Sequence, residues 1–97
     1  MAEKHLQQYC KARAKLHGIS FFKLVAIGQR GFPDVMLIAP KGRIVFLELK
    51  NPNNQGVISE SQRRIISTLC GLGCDARVVS TKLEVDHVIE TICDENV

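Results

Sequence analysis

Asp34-Val35-Met36-Leu37-Ile38-Ala39-Pro40-Lys41-Gly42-Arg43-Ile44-Val45-Phe46-Leu47-Glu48-Leu49-Lys50 is the stretch on which the reading of this chain turns. Two apolar runs rich in β-branched residues, 35–39 and 43–50, flank Pro40-Lys41-Gly42. Proline presets φ at the second position of a turn, and glycine accepts a left-handed backbone. The pattern predicts a three-residue hairpin loop, a type I turn followed by a left-handed residue. Ala39 then faces Arg43, paired residue numbers sum to 82, and Asp34 stands opposite Glu48. Ile44-Val45-Phe46-Leu47 is apolar at both parities, the signature of a sheet covered on both faces.

Glu48 and Lys50 interrupt this apolar strand and project to one face, because side chains alternate along it. Charges are seldom fully buried unless paired or bound. Directly opposed Cβ atoms lie about 4.5–5.5 Å apart, so Asp34 and Glu48 would repel each other without a proton or a cation between them. A hard divalent cation such as Mg²⁺, which takes one or two carboxylates and keeps several waters, suits this pair.

Residues 3–17 read as a helix with Leu6, Tyr9, Cys10 and Leu16 on an apolar stripe, stopped by Gly18. Ile19 to Ile27 reads as a strand, and 28–33 as a loop with two glycines. Asn51 to Val57 is a polar loop. Ser59-Glu60-Ser61-Gln62 matches a capping box and opens a helix that runs to about Leu72 and ends at Gly73. Ala76–Ser80 is a short strand. Thr81-Lys82-Leu83-Glu84 is a second capping box, opening a helix with Val85, Val88, Ile89 and Ile92 on one face. The order is αβββαβα, an α/β sandwich with helices on both sides of a mixed sheet. Two polar residues sit on otherwise apolar helix stripes: Glu3 before Leu6 and Cys10, and Gln62 before Ile65, Ile66 and Leu69. Both would be aimed at the sheet.

At 97 residues the chain is expected to form one domain, residues 1–97. No apolar run is long enough to span a membrane and no leader opens the chain, so an intracellular protein is expected. The net charge of +3 is uneven. Residues 1–74 hold eleven bases and four acids, a local charge of +7, which suits a polyanionic partner. Lys4, Lys11, Arg30, Lys41, Arg63 and Arg64 are candidate phosphate contacts. Cys10, Cys70, Cys74 and Cys93 contain no CxxC pair and read as buried free thiols rather than as a zinc site or disulfides.

Pro33-Asp34 followed by Glu48-Leu49-Lys50 resembles the PD-(D/E)XK nuclease superfamily. With Gly31-Phe32-Pro33-Asp34, Phe46-Leu47-Glu48-Leu49-Lys50 and Ile58-Ser59-Glu60-Ser61-Gln62, the chain is similar to a VRR-NUC (virus-type replication-repair nuclease) domain over about residues 3–80. The resemblance implies the PD-(D/E)XK αβββαβ(α) sandwich and Mg²⁺- or Mn²⁺-dependent endonuclease cleavage of DNA. It makes Asp34 and Glu48 metal ligands, joined by the backbone carbonyl of Leu49, and Lys50 the catalytic lysine. Glu3 matches the acidic residue of the family's first helix, and Gln62 its glutamine after the loop. It further implies a stand-alone viral form working in the cytoplasm of a host cell, a homodimer acting on branched DNA such as four-way (Holliday) junctions in DNA repair. Two sites related by a two-fold axis match the two opposed nicks that a junction requires, and strands apolar on both faces together with the apolar stripe on the last helix would leave a surface for a second copy to cover. The alternative is a DNA-binding module that keeps the fold without catalysis.

Overall fold

The computed structural model describes residues 3–25, 30–51 and 58–93. The elements are α1 (Glu3–Leu16), β1 (Ser20–Lys23), β2 (Val35–Ala39), β3 (Arg43–Leu49), α2 (Glu60–Gly71), β4 (Asp75–Val79) and α3 (Lys82–Cys93). This is the predicted order. The sheet runs β1-β2-β3-β4. The first three strands are antiparallel neighbours, and β4 joins β3 in parallel after the α2 crossover. The β2–β3 register runs from Ala39 opposite Arg43 to Val35 opposite Leu47, as the loop length predicts. Continued by one step, this register sets Asp34 opposite Glu48.

The turn itself differs from expectation. Lys41 lies at φ 70°, ψ 16° and Gly42 at φ 74°, so two consecutive residues are left-handed. A type I turn would hold the residue after Pro40 near φ −90°. β1 is also shorter than the apolar run suggests, ending at Lys23. Residues 26–29 and most of the 51–57 loop lie outside the described residues.

The core fills one face of the sheet. Val35, Leu37 and Ala39 of β2, Val45, Leu47 and Leu49 of β3, and Val79 of β4 meet Leu6, Cys10 and Ala14 of α1. Val85, Val88, Ile89 and Ile92 of α3 complete it. The stripe on α3 is therefore spent inside the protomer and is not a spare surface, correcting that expectation. On α1 the buried line is 6, 10, 14, one residue per turn. Leu16, two residues beyond Ala14, points away and is 74 % exposed. Tyr9 donates to both Asp86 oxygens (2.7 and 3.0 Å), and Arg13 Nε stands 3.3 Å from the same carboxylate, tying α1 to α3.

Helix α2 lies over the other face, as the expected sandwich requires, but covers only part of it. α2 rests on β4, where its Cys70 thiol donates to the Ala76 carbonyl (3.4 Å), and no residue of α2 is fully buried. Phe22 and Ile44 on that face remain 46 % and 43 % exposed. Of the cysteines only Cys10 is buried; Cys70 and Cys74 are exposed. Burial pushes the Cys10 thiol up to about 11, so it stays protonated and unreactive. Among the described residues no helix is long and apolar enough to cross a membrane.

Candidate active site

β2 and β3 end together at the carboxylate pair. Pro33 precedes Asp34 and offers no N–H. Asp34 is held from two sides: its carbonyl accepts from Leu24 N (2.6 Å), and its Oδ2 accepts from Leu49 N (3.2 Å). The aspartate side chain thus takes the ladder donor that one more residue of strand would have taken. Lys50 N meanwhile donates to the Val79 carbonyl (2.9 Å), so the end of β3 is clamped between Asp34 and β4.

Glu48 is the only polar or charged residue among the buried described residues, at 2 % exposure. Its Oε2 accepts from Gln62 Nε2 at 2.8 Å and lies 3.4 Å from Lys50 Nζ. Its Oε1 is buried and has no hydrogen-bond partner among the described residues. Burial, then the charge of Asp34, pushes the Glu48 carboxyl up to about 7, against the pull of Lys50. A buried carboxylate with one oxygen tied and one oxygen bare, beside a second carboxylate, is a donor set for a hard cation. Among the described residues no group of three or more His, Cys, Asp or Glu side chains converges. Two carboxylates and a backbone carbonyl suit Mg²⁺ or Mn²⁺, which keeps its remaining positions for water and phosphate.

Gln62 reaches Glu48 because α2 starts where it does. Ser59 caps the helix through Gln62 N→Ser59 Oγ (3.2 Å), and Gln62 Oε1 accepts from Ser59 N (2.9 Å). One end of the amide completes the capping box, and the other donates to the buried carboxylate. Gly31 sets the height of this helix end. A Cβ on Gly31 would lie 2.6 Å from Ser61 C and O and 2.8 Å from Gln62 N, all backbone, and Gly31 sits at φ 90°. Phe32 then stands edge-on to Phe46, with centroids 5.6 Å apart, closing the apolar side of the site.

Four residues singled out in the sequence, Asp34, Glu48, Lys50 and Gln62, therefore come together. The side chain of Glu3 lies outside the described residues. Lys4 and Lys11 line a cleft of about 600 Å³ that opens onto Asp34 and Leu49. Arg63 and Arg64 are exposed near the start of α2, and Arg30 is exposed beside Gly31. Lys41 stands apart: the hairpin turn is at the other end of β2, about 17 Å from the carboxylates at the usual strand rise. Sequence reasoning missed Gly31 as a contact, although it stands three residues before Asp34, where a close approach is informative. It also missed Gln7, Gln8, Phe21 and Lys23, which line the same cleft. For Lys23 a signal existed, since it pairs with Val35, next to Asp34.

A sequence model of the VRR-NUC domain matches residues 2–83, which includes every side chain of this cluster. The chain belongs to the VRR-NUC family. A solved structure of a VRR_NUC domain superposes with a TM-score of 0.81 at 32 % identity, covering 91 % of this chain and 94 % of its own. The "Putative nuclease p44" of Acyrthosiphon pisum secondary endosymbiont phage 1 is 40 % identical over 53 residues. That match spans 55 % of this chain and 53 % of the phage protein, so this VRR-NUC chain covers about half of that relative's length.

Proposed function

We propose that this VRR-NUC domain, residues 1–97, is a metal-dependent endonuclease that hydrolyses DNA phosphodiester bonds. The observation that carries the reading is Glu48: a buried carboxylate beside Asp34, with Oε2 tied to Gln62 and Lys50 and Oε1 without a hydrogen-bond partner among the described residues. Its burial has a cost that a module for binding alone has no need to bear.

Asp34 and Glu48, with the Leu49 carbonyl, would hold Mg²⁺ or Mn²⁺. Such an ion polarises a phosphate oxygen and lowers the pKa of a bound water. The protein's own groups do the positioning. Gln62 fixes the Glu48 side chain so that Oε1 stays bare. Leu49 N holds Asp34. Lys50 neutralises charge that develops on the phosphate as the water attacks. Glu3 would hold an outer-shell water. Lys4 and Lys11 would take phosphates in the cleft, and Arg30, Arg63 and Arg64 phosphates on the α2 side. Lys41 would reach only a duplex that runs the length of the hairpin.

The substrate we favour is branched DNA, four-way junctions first, cut by a homodimer inside the host cell. The partly open sheet face, with Phe22 and Ile44 exposed and Met36 and Ile38 half-buried beside them, is the surface a second copy would cover. Light scattering is expected to give about twice 10.8 kDa, and junctions to be cut faster than linear duplex of the same sequence. A monomer mass refutes the dimer, and equal rates refute the junction preference. The decisive test is cleavage in Mg²⁺ or Mn²⁺ by the wild type and by Glu48→Gln, each checked for folding. Loss of cutting in the variant is expected. A folded Glu48→Gln protein that cuts at the wild-type rate overturns the assignment, and wild type that binds DNA but cuts none with either ion is a binding module.

A further inference from the structure

The cleft beside the carboxylates has four lining residues, Gln7, Gln8, Phe21 and Lys23, that the proposed chemistry does not use. Lys4, Gln7, Gln8 and Lys11 come from one side of α1. Phe21 and Lys23 come from β1, and Asp34 and Leu49 form the end shared with the candidate active site. Residues i, i+3, i+4 and i+7 of a helix share one face, and the first and last of these are about 10 Å apart along the axis. The cleft is thus a short polar track, three ammonium groups long, with one aromatic side chain in its wall. Phe21 also packs against the hydrophobic core, so it is anchored from behind. α1 is held in place by the Tyr9–Asp86–Arg13 tie to α3.

We infer that this cleft is a subsite for an unpaired nucleotide of the strand to be cut, with Phe21 as the surface on which its base stacks. The inference rests on the nuclease reading above and adds what the site recognises. Its size supports one or two nucleotides: about 600 Å³ falls in the 300–1,000 Å³ range of small-ligand pockets. Its chemistry supports the same ligand. Lysines take the phosphates, Gln7 and Gln8 can both donate to and accept from base edges, and Phe21 offers a ring. A base within a duplex hides its faces in the stack, so only an unpaired base can meet that ring. Bases in a single-stranded flap, at a frayed end or at a branch point whose flanking pairs have opened meet this condition, and bases inside a continuous duplex do not. The subsite therefore supplies a physical cause for a preference for branched DNA.

The experiment uses the metal-free wild-type protein and a short single-stranded oligodeoxynucleotide carrying one 2-aminopurine, with a blunt duplex of the same sequence alongside. Stacking on Phe21 should quench the 2-aminopurine on binding the single strand and leave the duplex signal unchanged. Phe21→Leu, which keeps an apolar side chain against the core, should lose the quench and bind the single strand about tenfold more weakly, and Phe21→Trp should restore both. The surface variant Lys4→Gln/Lys23→Gln guards against misfolding of the Phe21 variants. It should weaken single-strand binding and lower the salt slope by about 0.7 for each lysine–phosphate pair removed. Unchanged quench and affinity in folded Phe21→Leu, or an unchanged salt slope in the lysine variant, overturns the subsite. The nuclease reading fails separately: quench without cutting in Mn²⁺ refutes that reading and spares the subsite, while cutting without a Phe21-dependent quench does the reverse.

Discussion

Helices α2 and α3 begin with the same device and put it to different uses. Ser59-Glu60-Ser61-Gln62 and Thr81-Lys82-Leu83-Glu84 are both capping boxes, with reciprocal bonds between the cap and the third helical residue. In α3 the device is entirely local. Glu84 Oε1 accepts from Ser80 N (2.8 Å), Thr81 N (3.1 Å) and the two hydroxyls (3.2 Å each), and those bonds hold its carboxyl below the usual range. In α2 the third residue is neutral and two-ended. Gln62 Oε1 closes the box, while Gln62 Nε2 donates to Glu48 fourteen residues away in sequence. Glutamate would cap this helix about as well but has no N–H to give. The local motif sets where each helix begins. What stands above the first turn decides whether its third residue serves the helix alone or a buried charge as well.

The strongest test of this contrast exchanges the chemistry at the two positions. Gln62→Glu removes the donor and sets a carboxylate against Glu48, and cleavage in Mg²⁺ is expected to fall by about 100-fold, the scale of two pKa units. Glu84→Gln should cut at the wild-type rate in parallel assays. Equal rates for all three proteins would mean that both boxes are caps and nothing more.

The two carboxyls also have opposite pH signatures. Glu48 titrates near 7 in the folded protein against 4.5 unperturbed, so its buried, protonated form adds stability below about pH 4.5 that is lost as pH rises through 7. Without metal, chemical denaturation should show stability dropping over that window by on the order of 3 kcal/mol, and Glu48→Gln should flatten the drop. Glu84 is shifted the other way, so its contribution is present above 4.5 and lost as pH falls below it. Glu84→Gln should alter only this acid limb. A Glu48→Gln profile with the wild-type slope would contradict the burial argument.

Gly31→Ala probes the approach of α2 rather than its cap. The added methyl meets backbone at 2.6 Å and a left-handed φ, so about 2 kcal/mol of stability and about tenfold in cleavage should be lost together. Wild-type values of both would show that the helix end is free to move. The smallest effect expected is that of the caps themselves. Ser59→Ala and Thr81→Ala should each cost about 1 kcal/mol in thermal or denaturant unfolding. Only Ser59→Ala should also slow cleavage, because only there does the cap position a side chain of the site.

Much of the site was legible along the chain. The 40–42 loop set the β2–β3 register whatever the turn type, since register follows loop length and the in–out alternation. That placed Asp34 opposite Glu48. The type of turn was not legible, because Lys41 adopts a left-handed conformation that side-chain chemistry alone disfavours. Nor was the division of cover between the sheet faces. Ile44 and Phe22 look like core residues in a one-dimensional pattern, yet α2 reaches only the β4 side. The α3 stripe that looked spare is consumed by the core for the same reason: periodicity identifies an apolar face without naming its neighbour.

By itself the sequence determined what depends on near neighbours: strand alternation, the hairpin register, both capping boxes and a carboxylate pair flanked by a lysine. These follow from side-chain period and turn length, which act over a few covalent bonds. The tertiary structure alone decided that Gln62 is the residue that ties Glu48 Oε2, that Oε1 is left bare, that Gly31 seats the start of α2, and that α1 and β1 wall a cleft leading to Asp34. Each of these is an approach between elements far apart in sequence. Such an approach is settled by how the packed layers fill space, and no local pattern encodes that distance.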